Sequence, residues 1–238
     1  MTQPRTLHVL SAGAAKAVVE ALAAPFESAA NVRIAATFDA AGAVRDALVG
    51  GAPCDVVILP AAMQDALAAQ GRVDPASVAP LGGVPTGIAV AAGDRWPAVG
   101  DADALRASLL AATALYCPDI ERATAGIHFA GVLRALGIDG PSAAKLRAYP
   151  NGARAMAALA AGGVQGAIGC TQVTEILYTP GVALVAPLPA PFRLTTVYSI
   201  AVSRNAGSPA AARALAARVV GREADALRRA GGFLEPAS

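Results

Sequence analysis

Short apolar runs alternating with longer alanine-rich stretches of helical spacing recur along this whole chain, and that alternation restricts it to strands joined by helices. Leu7–Leu10, Val32–Phe38 and Asp55–Leu59 read as strands, the last covered on both faces because its apolar run is nearly unbroken. Ala14–Ala30 reads as a helix with Val18, Val19, Leu22 and Phe26 along one face. Gly42–Gly50 is a second helix, and Ala61–Gln70 a third that stops at Gly71. A new series then begins with strands at Thr86–Ala92, Ala114–Cys117, Leu146–Tyr149, Ala167–Cys170, Val182–Ala186 and Val197–Val202. Helices are expected over Asp101–Ala111, Ala125–Leu136 and Ala153–Ala161, with a helical turn near Val173–Leu177. Pro209–Ala230 closes the chain as a helix with a break near Gly221.

Two passages divide this series. Leu81-Gly-Gly-Val-Pro-Thr-Gly is rich in glycine, and Leu188-Pro-Ala-Pro-Phe-Arg in proline. Chain crossings between lobes favour such segments because few contacts cross them, although ordinary surface loops have the same composition. The expected fold class is α/β and two-lobed, each lobe a mostly parallel sheet flanked by helices. Residues 1–84 with 196–238 would form the first lobe and residues 85–195 the second, with a ligand cleft between them.

Composition removes several function classes. Hydrophobic residues make up 55% of the chain, yet no apolar run approaches the roughly 20 residues that span a bilayer. The excess is alanine, so no membrane insertion is expected. A net charge of +2 with scattered arginines and 4% aromatic residues gives neither the basic stripe nor the stacking platforms of a nucleic-acid binder. Cys54, Cys117 and Cys170 are widely spaced, and only His8 and His128 offer imidazole, so neither a metal site nor a cofactor is expected. The cysteines read as small buried hydrophobes. His8, Lys16 and Glu20 interrupt the one candidate export signal, which points to the cytoplasm, or to the periplasm if a signal peptide has been removed. Without an export signal a transporter partner is doubtful.

Four strand-to-helix junctions carry the functional signal: Ser11-Ala12-Gly13-Ala14, Asp39-Ala-Ala41-Gly42, Thr124-Ala125-Gly and Asn151-Gly152-Ala153. Each starts with a residue type favoured at helix N-caps and continues with residues too small to obstruct the backbone. A helix N-terminus offers unsatisfied N–H donors and about half a positive charge, so several converging on one crevice would hold an anion without any lysine. In open α/β sheets such junctions lie beyond the carboxyl ends of the strands, where ligands bind.

The segment order resembles the molybdate-binding solute receptors, a branch of the type 2 periplasmic-binding proteins. Gly51-Ala-Pro-Cys-Asp-Val-Val-Ile, Ala125-Gly-Ile-His-Phe-Ala with Leu133–Gly137, Gly166-Ala-Ile-Gly-Cys, Tyr198-Ser-Ile-Ala-Val and the close at Gly232-Phe233 carry the resemblance over nearly the whole chain. It implies an oxyanion held by a serine at the first junction, serines at the second, backbone donors near Ala125 and Ala153, and a tyrosine. At the matching positions this chain has Ala14, then Ala40 and Ala41, and about Cys170. Each lost hydrogen bond to a charged ligand would cost about 1.5–3 kcal/mol. Other polar residues cluster at these junctions: Asp39, Glu121, Arg122, His128, Thr171, Gln172 and Glu175. Glu121, Arg122 and Glu175 fit a solvated surface as well as a site, and His128 fits packing as well as a ligand role.

Two functions follow. The first is binding of a small anionic ligand, a carboxylate or oxyanion, by Ser11, Ala12, Gly13, Ala14, Ala41, Gly42, Arg122, Thr124, Ala125, Asn151, Gly152, Ala153, Cys170, Thr171 and Gln172. The alternative is an isomerase of a small di- or tricarboxylate, as in the aconitate isomerases that resemble these receptors. Asp39 and His128 would then exchange protons beside a carboxylate, with helix N-termini steadying enolate charge. A cytoplasmic sensor ranks last, since no signalling or DNA-binding module accompanies the chain.

Overall fold

The computed structural model describes residues 4–235. Nine strands and ten α-helices follow in chain order among them. They are β1 (Arg5–Ala12), α1 (Lys16–Ala30), β2 (Val32–Asp39), α2 (Ala41–Val49), β3 (Val56–Pro60), α3 (Ala61–Ala69), β4 (Ala79–Ala91), α4 (Ala102–Ala111) and β5 (Leu115–Pro118). Next come α5 (Thr124–Ala135), α6 (Asp139–Ser142), β6 (Leu146–Tyr149), α7 (Gly152–Ala161), β7 (Ile168–Gln172), α8 (Val173–Tyr178), β8 (Val182–Pro187), β9 (Thr195–Val202), α9 (Pro209–Val220) and α10 (Asp225–Ala230). They fall into two compact units, one reaching to Gly83 and resuming at Thr196, the other Val84–Thr195.

In the first unit β1 is central, parallel to β2 on one side and β3 on the other, while β3 pairs antiparallel with β9. Leu7 and Val9 are fully buried, as is every residue of β3, which explains its continuous apolar run. Helix α1 buries the face Val18, Val19, Leu22 and Phe26 and ends at Asn31, whose left-handed conformation (φ 50°) suits an asparagine C-cap. Asp55 joins three elements: its carboxylate accepts the His8 N–H at 2.7 Å from β1 and the Ser208 N–H at 3.0 Å ahead of α9.

In the second unit β5 is parallel to β6 and β7, and β4 pairs antiparallel with both β7 and β8. Each sheet is therefore mixed, with parallel pairing confined to β1–β3 and β5–β7. A core around Leu105, Leu109, Leu115, Phe129, Leu133 and Ile168 packs α4 and α5 onto the strands, and Met156, Leu159 and Ile176 fill a second core under α7 and α8. Lys145 Nζ donates to the carbonyls of Leu109, Leu110 and Ala112, where α4 leaves unsatisfied acceptors.

Two expectations need correction. The glycine-rich passage at Leu81–Gly87 is not a loop but lies within β4, which begins at Ala79 and is almost wholly buried. Strand β1 continues through Ser11 to Ala12, because both neighbouring strands pair with Ser11 and β2 also pairs with Ala12. As expected, the closing helix is divided at Gly221 into α9 and α10, with a single 3-10 turn between them. Among the described residues no helix is long and apolar enough to cross a membrane.

Candidate functional site

The carboxyl ends of the parallel strands bring the predicted junctions together within each unit. In the first unit the register pairs Ala12 with Asp39, so the chain leaves β1 and β2 side by side. A 3-10 turn, Gly13–Ala15, leads into α1, and Ala40 precedes α2; the residue at each cap position is an alanine, which has no capping side chain. Helix α3, which sequence reasoning left out of the site, begins after β3 in the same manner at Pro60. Ala14, Ala40, Ala41 and Gly42 are buried. Their backbone donors are thus presented by residues with no bulk of their own.

Ser11 and Asp39 do not cap these helices as expected. Ser11 is fully buried in the central strand, and its hydroxyl donates to the Ala12 carbonyl at 2.9 Å. Asp39 ends β2, and its carboxylate accepts the adjacent Ala40 N–H at 2.8 Å. The cap position proper falls to alanine in both cases. A helix start without a side-chain acceptor keeps its N–H groups available to an external one.

In the second unit the register pairs Pro118 with Tyr149 and Tyr116 with Gly169, which sets the ends of β5, β6 and β7 along one edge. Helix α5 begins at Thr124 itself, one residue earlier than predicted, with Ala123 at the cap position and no side-chain cap. Just upstream, Asp119 Oδ1 accepts the N–H groups of Glu121 and Arg122 at 2.8 and 3.0 Å, fixing the approach to the helix. Gly126 is required there, since any Cβ would overlap the carbonyls of Pro118 and Asp119. Glu121 and Arg122 are exposed.

Asn151 is the one predicted cap that behaves as such: its side chain accepts the Arg154 N–H at 3.0 Å. The donors of α7 are nonetheless already in use. The carboxylate of Glu175, a residue only 7% exposed, accepts the backbone N–H groups of Ala153, Gln172 and Gly152. Thr171 Oγ1 donates to the same carboxylate at 2.6 Å. A Cβ at position 152 would overlap both Glu175 Oε2 and Thr171 Oγ1, so only glycine admits this approach. Burial pushes the Glu175 carboxyl above its ordinary value, against the opposing effect of the four hydrogen bonds. Gly152, Ala153, Thr171 and Gln172 therefore do converge, but on an acidic residue of the chain itself. A Thr171/Glu175 pair spanning the junction from β7 to α8, following a small residue at 152, was the available signal.

Cys170 is no ligand group: its side chain is fully buried in the apolar core with Cys117. Burial pushes the Cys117 and Cys54 thiols up to about 12, and raises Cys170 as well. His128, half-buried on α5, has Nε2 2.8 Å from the Phe192 carbonyl. A carbonyl only accepts, so this nitrogen carries the proton and ties α5 to the loop after β8. Among the described residues no cluster of three or more His, Cys, Asp or Glu side chains is placed to hold a metal ion.

Comparison with known proteins agrees with this architecture. A curated relative, an aconitate isomerase from a Pseudomonas species, is 29% identical over 225 residues, covering 92% of this chain and 84% of that protein. The periplasmic molybdate-binding protein of Azotobacter vinelandii superimposes with a TM-score of 0.79 at 20% identity, over 97% of this chain and all of the other. The sulfate-binding protein of Mycobacterium tuberculosis H37Rv gives 0.72 at 16% identity, over 96% and 86% of the two chains. The fold is thus that of the periplasmic-binding proteins, as the resemblance implied. The bacterial extracellular solute-binding protein family matches residues 7–234, and with nearly the whole chain matched, this protein belongs to that family.

Proposed function

We propose that this protein binds a small organic carboxylate or oxyanion on backbone N–H groups at helix starts, those of α1 and α2 in the first unit or that of α5 in the second. The observation that carries this is the set of helix starts with alanine at the cap position, which offers no capping side chain of its own, lying beyond the carboxyl ends of parallel strands. Such donors favour negative charge and are already fixed in place, so binding costs little reordering. Family membership supports a receptor role, with hand-over of the ligand to a membrane transporter.

A second reading, isomerisation of a tricarboxylate, is favoured by the aconitate isomerase relative. Proton removal beside a carboxylate needs a base, and Asp39, half-buried at the edge of β2, is the candidate in the first unit. His128 is a weaker partner, since its Nε2 proton is committed to Phe192 and only Nδ1 remains for exchange.

One experiment addresses both readings. Thermal unfolding is recorded with sulfate, molybdate, citrate and cis- and trans-aconitate, and the aconitate samples are followed by proton NMR. Binding predicts a concentration-dependent rise in Tm for at least one of these anions, and turnover predicts interconversion of the aconitates. No shift with any member would overturn the binding reading, and unchanged aconitate spectra would remove the second.

A further inference from the structure

Glu175 is a carboxylate built into a place where an anion would otherwise bind. Helix α7 is ten residues long and starts at the carboxyl edge of β5, β6 and β7, beside the open start of α5. Its first amides, from Gly152 and Ala153, already meet a negative group. That group is supported from three other directions: the Thr171 hydroxyl at 2.6 Å, the Gln172 N–H, and a glycine at 152 that alone leaves room for it. An exposed glutamate passing by would need none of these.

We propose that Glu175 is a specificity-determining residue, an internal carboxylate that occupies the α7 N-terminus and so denies it to tetrahedral dianions. It rests on the reading of the strand carboxyl edges as the ligand site. A dianion such as sulfate or molybdate needs donors on most of its oxygens, and here it would lose those of α7 and meet a like charge in their place. A ligand whose charge is divided among separate carboxyl groups loses less, because each group can be served by a single helix start. The ligand class is accordingly organic carboxylates, with a hydroxyl or other donor tolerated near Glu175.

The test compares wild type with Glu175→Gln, which keeps the shape without the charge, and Glu175→Ala, which opens the α7 amides. Calorimetric titration with sulfate and molybdate is run on all three, and thermal unfolding is followed with formate against sodium chloride at equal ionic strength. Removing the charge is expected to strengthen oxyanion binding at least tenfold in Glu175→Gln. Formate, standing in for the lost carboxylate, is expected to raise the Tm of Glu175→Ala by more than it raises that of wild type. Should Glu175→Ala fail to fold, the Glu175→Gln titration decides alone. Equal oxyanion responses in every folded protein, including no response in any, overturn the proposal, as does weaker binding in Glu175→Gln. The outcome is separable from that of the binding reading, because formate rescue is read without any natural ligand and wild-type carboxylate binding is read without any variant.

Discussion

The cysteines illustrate how much a side chain's neighbours decide. Cys117 and Cys170 lie among Leu115, Phe129 and Ile168, and Cys54 is nearly as enclosed. Desolvation penalises the thiolate, which is the reactive form. Because the folded chain holds these protons longer than the unfolded chain, the thiols favour folding at neutral pH, and that contribution fades as pH rises from about 9 towards 12. A disulfide reagent at neutral pH is therefore expected to label native protein only at the rate of unfolding and to label all three thiols at once in denaturant; fast labelling of native protein would contradict the burial. The spacing of the cysteines already spoke for this role. Glu175 was not legible in the same way: its position in the sequence fits a solvated helix end equally well, and only the approach of α7 to β7 shows that its carboxylate is enclosed.

At the scale of elements, the alternation of apolar runs was enough to locate strands and helices, because burial imposes periods of about 2 and 3.6 residues on the sequence. Cap chemistry was less legible. Ser11, Asp39 and Thr124 belong to cap-forming types, yet pairing on both flanks extends β1 through Ser11, Asp39 finishes its own strand, and Thr124 is already inside α5. Only Asn151 has the extended backbone and the side-chain bond of a true cap. Asn151→Ala is accordingly expected to destabilise the protein by about 1 kcal/mol, whereas Thr124→Ala should change little, since its hydroxyl caps no helix donor. Chemical denaturation of both variants checks this contrast, and equal losses would mean that the assigned caps are wrong.

For the whole molecule, two units emerge from a chain whose middle section is inserted between its ends, and each places its uncapped helix starts on the carboxyl edge of parallel strands. That edge carries Asp39 in one unit and Glu175 in the other, so in each unit backbone dipoles stand beside a carboxylate. The most direct test is an amide-resolved NMR titration with whichever carboxylate raises the Tm. If the helix starts hold the anion, the amide signals that move are those of Gly13–Ala15 and Ala41–Gly42 in the first unit or Thr124–Gly126 in the second, while Gly152 and Ala153, already bound to Glu175, stay where they are. Shifts confined to other surfaces, with those three helix starts silent, would contradict it.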